Sequence, residues 1–497
     1  MPRMRRWTWG IIALVVLAAA CSSGTSRAAS GPTTTTTIAL PAGTRVVHVS
    51  TRPGQRIDGF GASGAWWPND LANFPPAYQQ TAAQLLFNRL AIGLSGYRYN
   101  IGGGGKGVTN PARAPKEFPA DDAGRVFLKA ASDMHVEMLT GFVNSAPPQF
   151  TTNGQACGGQ LKPGRESAYA QYLANIVKTL HDKDHVTLQY VSPMNEPDDN
   201  FGGCGQEGMA VPISQRAAVV QSLGRALAAT APYAHVIADE TTADLLIAQN
   251  TQQWLTPDTA RYVAAIAHHT YDFPTNAIRA VVPKALTRFG KPTWMTEICC
   301  YKGSGSGASS FGSGFDPSMT QGLWLADQVF GDLTVARDSA WYWWTALSPE
   351  LGCSPAPHAV CGYVNNAQGI NDGLLYYDPN YAKTHNYTLI PTKRYYVLGQ
   401  FSRFVRPGAL RYDTTGAPPG VKVMAFAQGK QWIIVTWNDT DKSVTFGVSL
   451  PGTTSVAMGY STSPTFNLAG APRPKRTNTS AWLVPLAGQT VSTFTFG

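Results

Sequence analysis

The sequence predicts an α/β fold, a (β/α)8 (TIM) barrel with an appended antiparallel β-sandwich domain. Between about residues 59 and 388, short apolar strand-like segments alternate with helix-like segments, which is the pattern of a parallel sheet closed into a barrel. From about residue 389 onward, apolar residues alternate with a period of two between turn-forming residues, as in a sandwich of antiparallel strands. The length of 497 residues is sufficient for both units.

The barrel prediction depends on repeated helix–strand units. Helices are expected at residues 78–90, 124–133, 167–181, 214–230, 258–265, 277–289 and 322–337. The strands that follow them are expected at residues 93–100, 136–142, 187–192, 235–238, 266–271, 293–297 and 339–344. A first strand that begins near residue 59 and ends before Trp66 completes the barrel.

The side domain is predicted from both ends of the chain. Its strands are expected at residues 421–427, 431–437, 443–450 and 491–496. Residues 44–50 alternate in the same way, so we expect residues 45–58 to contribute an N-terminal strand to the sandwich. The barrel then covers residues 59–388 and the side domain residues 389–497.

The N-terminus has the pattern of a signal peptide over residues 1–20. Three arginines precede an apolar run that is far shorter than the ~20 residues of a membrane span, and Cys21 follows it. We expect cleavage before Cys21 and lipidation of that cysteine, although Ala18 stands where a lipoprotein signal usually has leucine. Simple release and an uncleaved anchor are the alternatives. Residues 21–44 are rich in Ser and Thr and predict a flexible tether.

Composition excludes several classes of protein. Hydrophobic residues make up 43% of the chain and charged residues only 14%, which excludes a disordered chain and a coiled coil. The net charge of +9 includes the three leader arginines, and the remaining cations form no run. We therefore expect no nucleic-acid partner. The balance is typical of an exported enzyme, found on the outer face of the cell membrane as a lipoprotein or secreted, and we expect it to be a monomer.

The cysteines predict disulfides, because an even number remains after Cys21 and the chain is exported. We expect the pairs Cys157–Cys204 and Cys353–Cys361, and the adjacent Cys299 and Cys300 stay unassigned. His268 and His269 could join these two cysteines in a metal site, but no metal-binding spacing is present. We expect neither a metal nor an organic cofactor.

Two glutamates close apolar strands, which is where active sites of such barrels lie. Glu196 follows the fourth predicted strand directly after Asn195, and Glu297 ends the seventh. Cleavage of a glycosidic bond with retention requires two carboxyls about 5–5.5 Å apart, one protonated and the other ionised. The pair predicts a glycoside hydrolase that acts on a polysaccharide or an oligosaccharide.

The sequence also resembles glycoside hydrolase family 30. The resemblance is carried by residues 55–65, 97–104, 144–148 and 393–407, together with the strand ends at residues 195–197 and 296–297. It implies a side domain built from both ends of the chain. It also implies Glu196 as acid/base and Glu297 as nucleophile.

The same resemblance implies the substrate contacts. Asn195 would bind the sugar 2-hydroxyl, Arg98 would lie beneath the nucleophile, and Tyr271 would touch the nucleophile or the sugar. Asn144 belongs to a matching motif and is assigned to the substrate as well. His269 is either a substrate contact or a histidine of the barrel core.

Aromatic residues are expected to stack on the sugar, since its C–H faces pack against indole rings. Trp66 follows the first strand, and the eighth strand contains residues 341–344. Alternation allows either Trp341 and Trp343, or Tyr342 and Trp344, to line the barrel mouth. The family resemblance favours Trp343.

The loops leave several substrates open. Residues 64–70, 107–111 and 145–148 look most like the endo-β-1,6-galactanase branch of the family. A β-1,6-glucanase, or a glucosylceramidase-like or xylanase-like enzyme, is the alternative. A surface lectin or an envelope scaffold would need no carboxylate pair. The glycines at 102–105 lack a complete phosphate-binding motif and predict a tight loop that brings backbone close to the substrate.

Overall fold

The computed structural model describes residues 38–301, 311–355, 360–452 and 455–497. The predicted signal peptide, Cys21 and most of the predicted tether lie outside these residues. Within them, none of the helices combines the length and the apolar character that crossing a membrane requires.

Eight parallel strands form a closed barrel, as the sequence predicts. They are β1 (Gly59–Gly64), β2 (Gly96–Asn100), β3 (Met138–Phe142), β4 (Tyr190–Ser192), β5 (His235–Thr241), β6 (Val263–His269), β7 (Thr293–Glu297) and β8 (Ala340–Trp343). Each strand pairs with the next one in the chain, and β8 pairs with β1. All carboxyl ends therefore meet at one mouth of the barrel.

Helices surround the barrel. The α-helices of the described residues are Trp67–Leu71, Pro76–Phe87, Asp122–Asp133, Glu166–Asp184, Ile213–Thr230, Asp244–Trp254, Pro257–Ala260, Asn276–Arg279, Val281–Leu286, Met319–Gly331, Tyr381–Thr384 and Lys393–Ser402. In the helix Glu166–Asp184, the buried residues Leu173, Val177 and Leu180 recur every three to four positions. This spacing puts them on one face, as is typical of a helix that packs against a core. His185 ends that helix in the left-handed conformation.

The start of β6 is one of the strand boundaries that differ from the prediction. The sequence predicts a helix at residues 258–265, whereas the helix ends at Ala260 and β6 already begins at Val263. The run Val-Ala-Ala-Ile-Ala that opens β6 is uniformly apolar, so periodicity does not distinguish a buried strand from a buried helix. The helix Asp244–Trp254 between β5 and β6 was not predicted.

The side domain is a ten-stranded sheet that folds over on itself. The strand order is Ala469–Gly470, Val456–Thr462, Thr490–Phe496, Gln431–Asn438, Val421–Gln428, Leu410–Thr415, Val46–Arg56, Val444–Ser449, Trp482–Leu486 and Lys475–Arg476. All the pairings are antiparallel except that of Val46–Arg56 with Val444–Ser449. Trp482 and Phe496 lie in distant strands of this order, yet their rings are 5.4 Å apart. The two halves thus face each other across a shared apolar core, as in a sandwich.

Small strands and short helices complete the loops. Short sheets pair Gly159–Gln160 with Met209–Ala210, Ser313–Phe315 with Asn366–Ile370, and Gly373–Tyr376 with both Thr345–Ser348 and Ile390–Pro391. Single turns of 3₁₀-helix occur at Pro111–Arg113, Pro148–Phe150, Thr287–Phe289 and Val360–Tyr363, and a π-helix at Asp332–Ala336.

Candidate active site

The two predicted carboxylates lie together at the carboxyl end of the barrel. Glu297 is the last residue of β7, and Glu196 lies in the turn that follows β4. Both side chains are buried, and one oxygen of each lies within 4.8 Å of the other and of a ring nitrogen of His269. This separation is that of retaining glycosidases, since inverting enzymes hold their carboxyls about 6.5–9.5 Å apart.

Glu297 accepts hydrogen bonds at both oxygens. Arg98 Nη1 donates to Oε2 at 2.8 Å, and the Tyr271 hydroxyl donates to Oε1 at 2.9 Å. Burial raises the pKa of Glu297, whereas the positive charge of Arg98 and its hydrogen bond oppose that rise. The two donors favour the ionised form, which is the form that a nucleophile needs.

Glu196 lies in a different environment. Its backbone N–H donates to the Glu240 carbonyl at 3.0 Å and fixes the turn, in which Glu196 has a φ of +47°. Burial, reinforced by the charge of Asp199, raises the pKa of Glu196 to about 8. Its Oε1 lies 3.0 Å from Nδ1 of His269, and burial lowers the pKa of His269 to about 4. A protonated carboxyl beside a neutral imidazole is therefore expected at neutral pH.

Arg98 connects several strand ends from below the cavity. Its buried guanidinium donates to Ser63 Oγ at 2.9 Å and Asn195 Oδ1 at 3.2 Å as well as to Glu297. It also donates to Glu240 Oε1 at 3.0 Å. Arg98 therefore lies beneath Glu297, as the family resemblance implies.

Sequence reasoning missed Glu240. This buried residue lies in β5, and its Oε2 accepts a hydrogen bond from Ser192 at 2.7 Å. The signal was available, because Asp239 and Glu240 are polar residues at the end of an apolar strand. The same rule that selected Glu196 and Glu297 applies to it.

A cavity of about 350 Å³ opens above the two carboxylates. Six of the predicted site residues line it, namely Trp66, Asn144, Asn195, Glu196, Tyr271 and Glu297. Arg98 and His269 do not line the cavity but lie behind its wall. There Arg98 contacts Glu297 and His269 contacts Glu196. Other parts of the wall were not predicted, among them Arg113, Phe311 and Asp372, while Trp344 belongs to the alternative that alternation left open.

The prediction for Trp343 is wrong, and Trp344 takes the position expected for it. Ala340 and Tyr342 of β8 pack inside the barrel, so the intervening Trp343 points outward. Trp343 is fully buried, lies 6.2 Å from the Trp324 ring, and donates its indole N–H to the Asp372 carbonyl. Trp344 lines the cavity, and its ring meets that of Trp66 edge-on at 4.9 Å.

The glycine loop does not line the cavity either. The N–H groups of Gly103 and Gly105 donate to the two oxygens of Glu207 at 3.0 and 2.8 Å. Glu207 is fully buried, and burial raises its pKa to about 8. The loop therefore binds an internal carboxyl rather than approaching the substrate as expected.

The six cysteines of the described residues form three disulfides. The predicted pairs Cys157–Cys204 and Cys353–Cys361 are present, and Cys299 is bonded to Cys300. Both residues of the last pair line the cavity. Disulfide-bonded cysteines do not serve as thiolate metal ligands.

The donor atoms of Glu196, His269 and Glu297 are close enough to share a metal ion. However, the Arg98 guanidinium already provides a positive charge 2.8 Å from Glu297. A second cation at this position would be repelled. The chemistry that fits the donor set is proton transfer and nucleophilic attack by the two carboxyls.

Comparison with known proteins gives a consistent result. The profile of O-glycosyl hydrolase family 30 matches residues 44–351. Glucuronoxylanase XynC of Bacillus subtilis is 23% identical over 356 residues, which are 71% of each chain. A conserved exported protein from Bacteroides fragilis has a TM-score of 0.75 at 20% identity, covering 90% of this chain and 100% of its own. The endo-β1,6-glucanase BT3312 has a TM-score of 0.67 at 16% identity, covering 93% and 94%. Likenesses at this level of identity show the fold.

Proposed function

The chain belongs to O-glycosyl hydrolase family 30, a family of retaining enzymes that act on carbohydrate, and we propose that Glu297 is its nucleophile and Glu196 its acid/base. The observation that carries this proposal is the short distance between the two carboxyls, within 4.8 Å, combined with their unequal surroundings. Glu297 accepts from a cation and a phenol, whereas Glu196 faces a neutral imidazole.

In the first step, a carboxylate oxygen of Glu297 attacks the anomeric carbon and the bond to the leaving oxygen breaks. Glu196 gives its proton to that oxygen, so the leaving sugar departs as an alcohol. Hydrogen bonds from Arg98 and Tyr271 orient Glu297 and keep it ionised. With the Nδ1–H tautomer, His269 would donate to Oε1 of Glu196 and leave Oε2 to carry the proton.

In the second step, water replaces the leaving sugar. Glu196, now ionised, accepts a proton from the water as its oxygen attacks the anomeric carbon, and the bond to Glu297 breaks. Each step inverts the anomeric carbon, so the product retains the β configuration.

The wall of the cavity offers groups for the sugar. Asn195 accepts from Arg98 through Oδ1, which leaves its amide N–H groups for the 2-hydroxyl. The Nδ2 group of Asn144 is buried at the cavity without a hydrogen-bond partner among the described residues. A substrate hydroxyl would satisfy it. Trp66 and Trp344 supply apolar surface for a C–H face of the sugar.

For the substrate we propose a β-1,6-galactan that is cleaved internally. Of the three segments that resemble the galactanase branch, residues 64–70 contribute Trp66 to the cavity wall. The wall residues Asn144 and Arg113 lie next to the other two segments in the sequence. Arg113 pairs with Glu350 at 3.0 Å, so its charge already has a partner within the protein. A β-1,6-glucan is the second candidate, because a structural neighbour is an endo-β1,6-glucanase. Xylan is the third, because the relative XynC is a glucuronoxylanase.

We propose that the chain is exported and acts as a monomer, anchored through a lipid on Cys21. An exported structural neighbour and three disulfides support export. The Cys21→Ser variant tests the anchor, and wild type should enter the detergent phase whereas the variant stays in the aqueous phase. Equal partitioning of both would contradict lipidation. Sedimentation of the mature chain tests the oligomeric state.

Product analysis on β-1,6-galactan, β-1,6-glucan, xylan and glucosylceramide tests the activity. We expect galacto-oligosaccharides of several lengths from the first glycan alone, no product from Glu297→Ala, and wild-type rates from the surface control Asp133→Ala. Glucose or xylose products would keep the catalytic roles and change the substrate. A folded wild type that binds a glycan without cutting it would contradict the enzyme and favour a lectin.

A further inference from the structure

The disulfide between Cys299 and Cys300 lies in the cavity wall, two residues beyond Glu297. Both residues are at least 97% buried, and both line the cavity. Cys300 has a φ of +62°, a conformation that residues other than glycine rarely adopt. Such backbone conformations persist where the surrounding structure requires them.

This disulfide contributes little to the fold through loop closure. A disulfide stabilises mainly by restricting the unfolded chain, and the effect grows with the length of the loop it closes. The Cys157–Cys204 pair spans 47 positions and the Cys353–Cys361 pair spans 8, whereas Cys299 and Cys300 are adjacent. The position of the bond at the cavity therefore needs another explanation.

The bond makes a rigid, donor-free surface. A disulfide has no N–H or O–H group, and sulfur is large and polarisable. Backbone hydrogen bonds hold the segment on both sides, since Trp344 N–H donates to the Ile298 carbonyl at 2.9 Å and Cys300 N–H donates to the Asn371 carbonyl at 3.2 Å. These two hydrogen bonds connect the segment to Trp344, which follows β8, and to Asn371, which directly precedes the cavity residue Asp372.

The same surface contacts a residue that binds the nucleophile. The hydroxyl of Tyr271 lies 2.9 Å from Glu297 Oε1 and 3.9 Å from Cys299 Sγ. A sugar bound against Glu297 would therefore meet the sulfurs on the side of the cavity where Tyr271 lies.

We propose that the Cys299–Cys300 disulfide determines substrate affinity by packing against the C–H face of the sugar bound beside Glu297. This inference rests on the proposed function of the same cavity. Opening of the bond gives two freely rotating thiols, each an S–H donor, in place of one fixed apolar surface. Binding of the sugar weakens, while the carboxyl pair that performs the chemistry stays in position.

The test compares two double variants on the glycan that wild type hydrolyses. In Cys299→Ala/Cys300→Ala we expect KM to rise about tenfold, which corresponds to a loss of about 1.4 kcal/mol in binding, with a smaller change in kcat. The control Cys353→Ala/Cys361→Ala removes a disulfide outside the cavity wall and should keep the wild-type KM. Unchanged KM in the first variant would overturn the proposal, and so would an equal rise in both.

Reduction of the bond provides a second measurement that does not depend on how the variants fold. Dithiothreitol, which supplies the two electrons and two protons that convert the disulfide to two thiols, should raise KM in wild type and in the Cys353/Cys361 control. It should have no effect on the Cys299/Cys300 variant. Insensitivity of folded, active wild type after mass spectrometry confirms reduction of Cys299 and Cys300 would overturn the proposal. Inactive wild type on every glycan would instead contradict the proposed function.

Discussion

Arg98 donates to Glu297 at 2.8 Å and, through its other terminal nitrogen, to Glu240 at 3.0 Å. One buried cation thus forms ion pairs with two buried carboxylates, one in β7 and one in β5. Asn195 accepts from the same nitrogen as Glu240, so the guanidinium also orients the residue beside Glu196. The position of the nucleophile and that of the neighbouring amide are therefore coupled through a single side chain.

Replacement of Arg98 by methionine should affect both stability and pH dependence. Removal of one partner from a buried ion pair costs about 3–5 kcal/mol, so urea denaturation should show a loss of that size in the free energy of unfolding. Loss of the cation also raises the pKa of Glu297. Because Glu297 must be ionised to attack, the acidic limb of kcat/KM should move to higher pH.

The control for this variant is Arg125→Met, because Arg125 forms a partly exposed ion pair with Asp184. Such a pair contributes about 0–1 kcal/mol, and the pH profile should not change. An acidic limb that stays in place in folded Arg98→Met would contradict the role of Arg98.

The acid role of Glu196 predicts a dependence on the leaving group. In Glu196→Ala, kcat/KM on the natural glycan should fall about 10²–10⁴-fold, the range that general acid catalysis supplies. An aryl glycoside with an acidic phenol needs no proton to leave, so its first step should be nearly unaffected. Pre-steady-state release of the phenol measures that step. An equal loss on both substrates would be incompatible with an acid at position 196.

The raised pKa of Glu196 also sets the basic limb of activity. Its pKa is about 8, and the rate should fall as the pH rises through that value because the acid loses its proton. His269, with a pKa of about 4, stays neutral throughout this range. In Glu196→Gln, assayed on the activated aryl glycoside, the limb near pH 8 should be absent. Its persistence would assign that limb to another group.

The same pKa values predict how stability depends on pH. Glu196 and Glu207 both have values of about 8 in the folded protein, above those of an unfolded chain. The folded state therefore binds these protons more tightly, and their contribution to stability is lost as the pH rises toward and through about 8. Thermal melting between pH 5 and 9 measures this, and a Tm that rises over that range would contradict it.

The strand-end rule predicted Glu196 and Glu297 from sequence, because all parallel strands of a barrel end at one mouth. Glu240 follows the same rule, but the residues around it in the sequence did not distinguish a residue of the active site from one with a purely structural role. The bond between Cys299 and Cys300 could not be assigned, since the spacing of cysteines does not give their connectivity. The closed barrel was predicted, whereas the strand order of the side domain and the start of β6 were not. The apolar run that opens β6 has no period, so it does not distinguish a strand from a helix.

Alternation alone does not determine which side chains of the eighth strand point into the barrel. Period-two patterning puts Tyr342 and Trp344 on one face and Trp341 and Trp343 on the other, but both faces are buried and aromatic. The choice depends on the space inside the barrel, where Tyr342 packs with Met138. Sequence does not report that space, so the family resemblance led to Trp343.

Alanine substitutions of Trp343 and Trp344 should separate an effect on substrate binding from an effect on stability. Trp344→Ala removes a cavity wall and should raise KM for the glycan several-fold. Its cost in unfolding free energy should be the smaller of the two, because its side chain borders the cavity instead of being enclosed by the core. Trp343→Ala leaves a hole in the core between Trp324 and Trp341 and should cost about 3–5 kcal/mol. Where it still folds, its KM should stay close to that of wild type.

Steady-state kinetics of the two variants gives the change in KM, and urea denaturation gives the change in the free energy of unfolding. Since both substitutions remove the same indole, the pair is a matched comparison in which only the direction of the side chain differs. A larger rise in KM for Trp343→Ala than for Trp344→Ala would show that the outward ring governs binding after all. That result would contradict the assignment of Trp344 to the sugar.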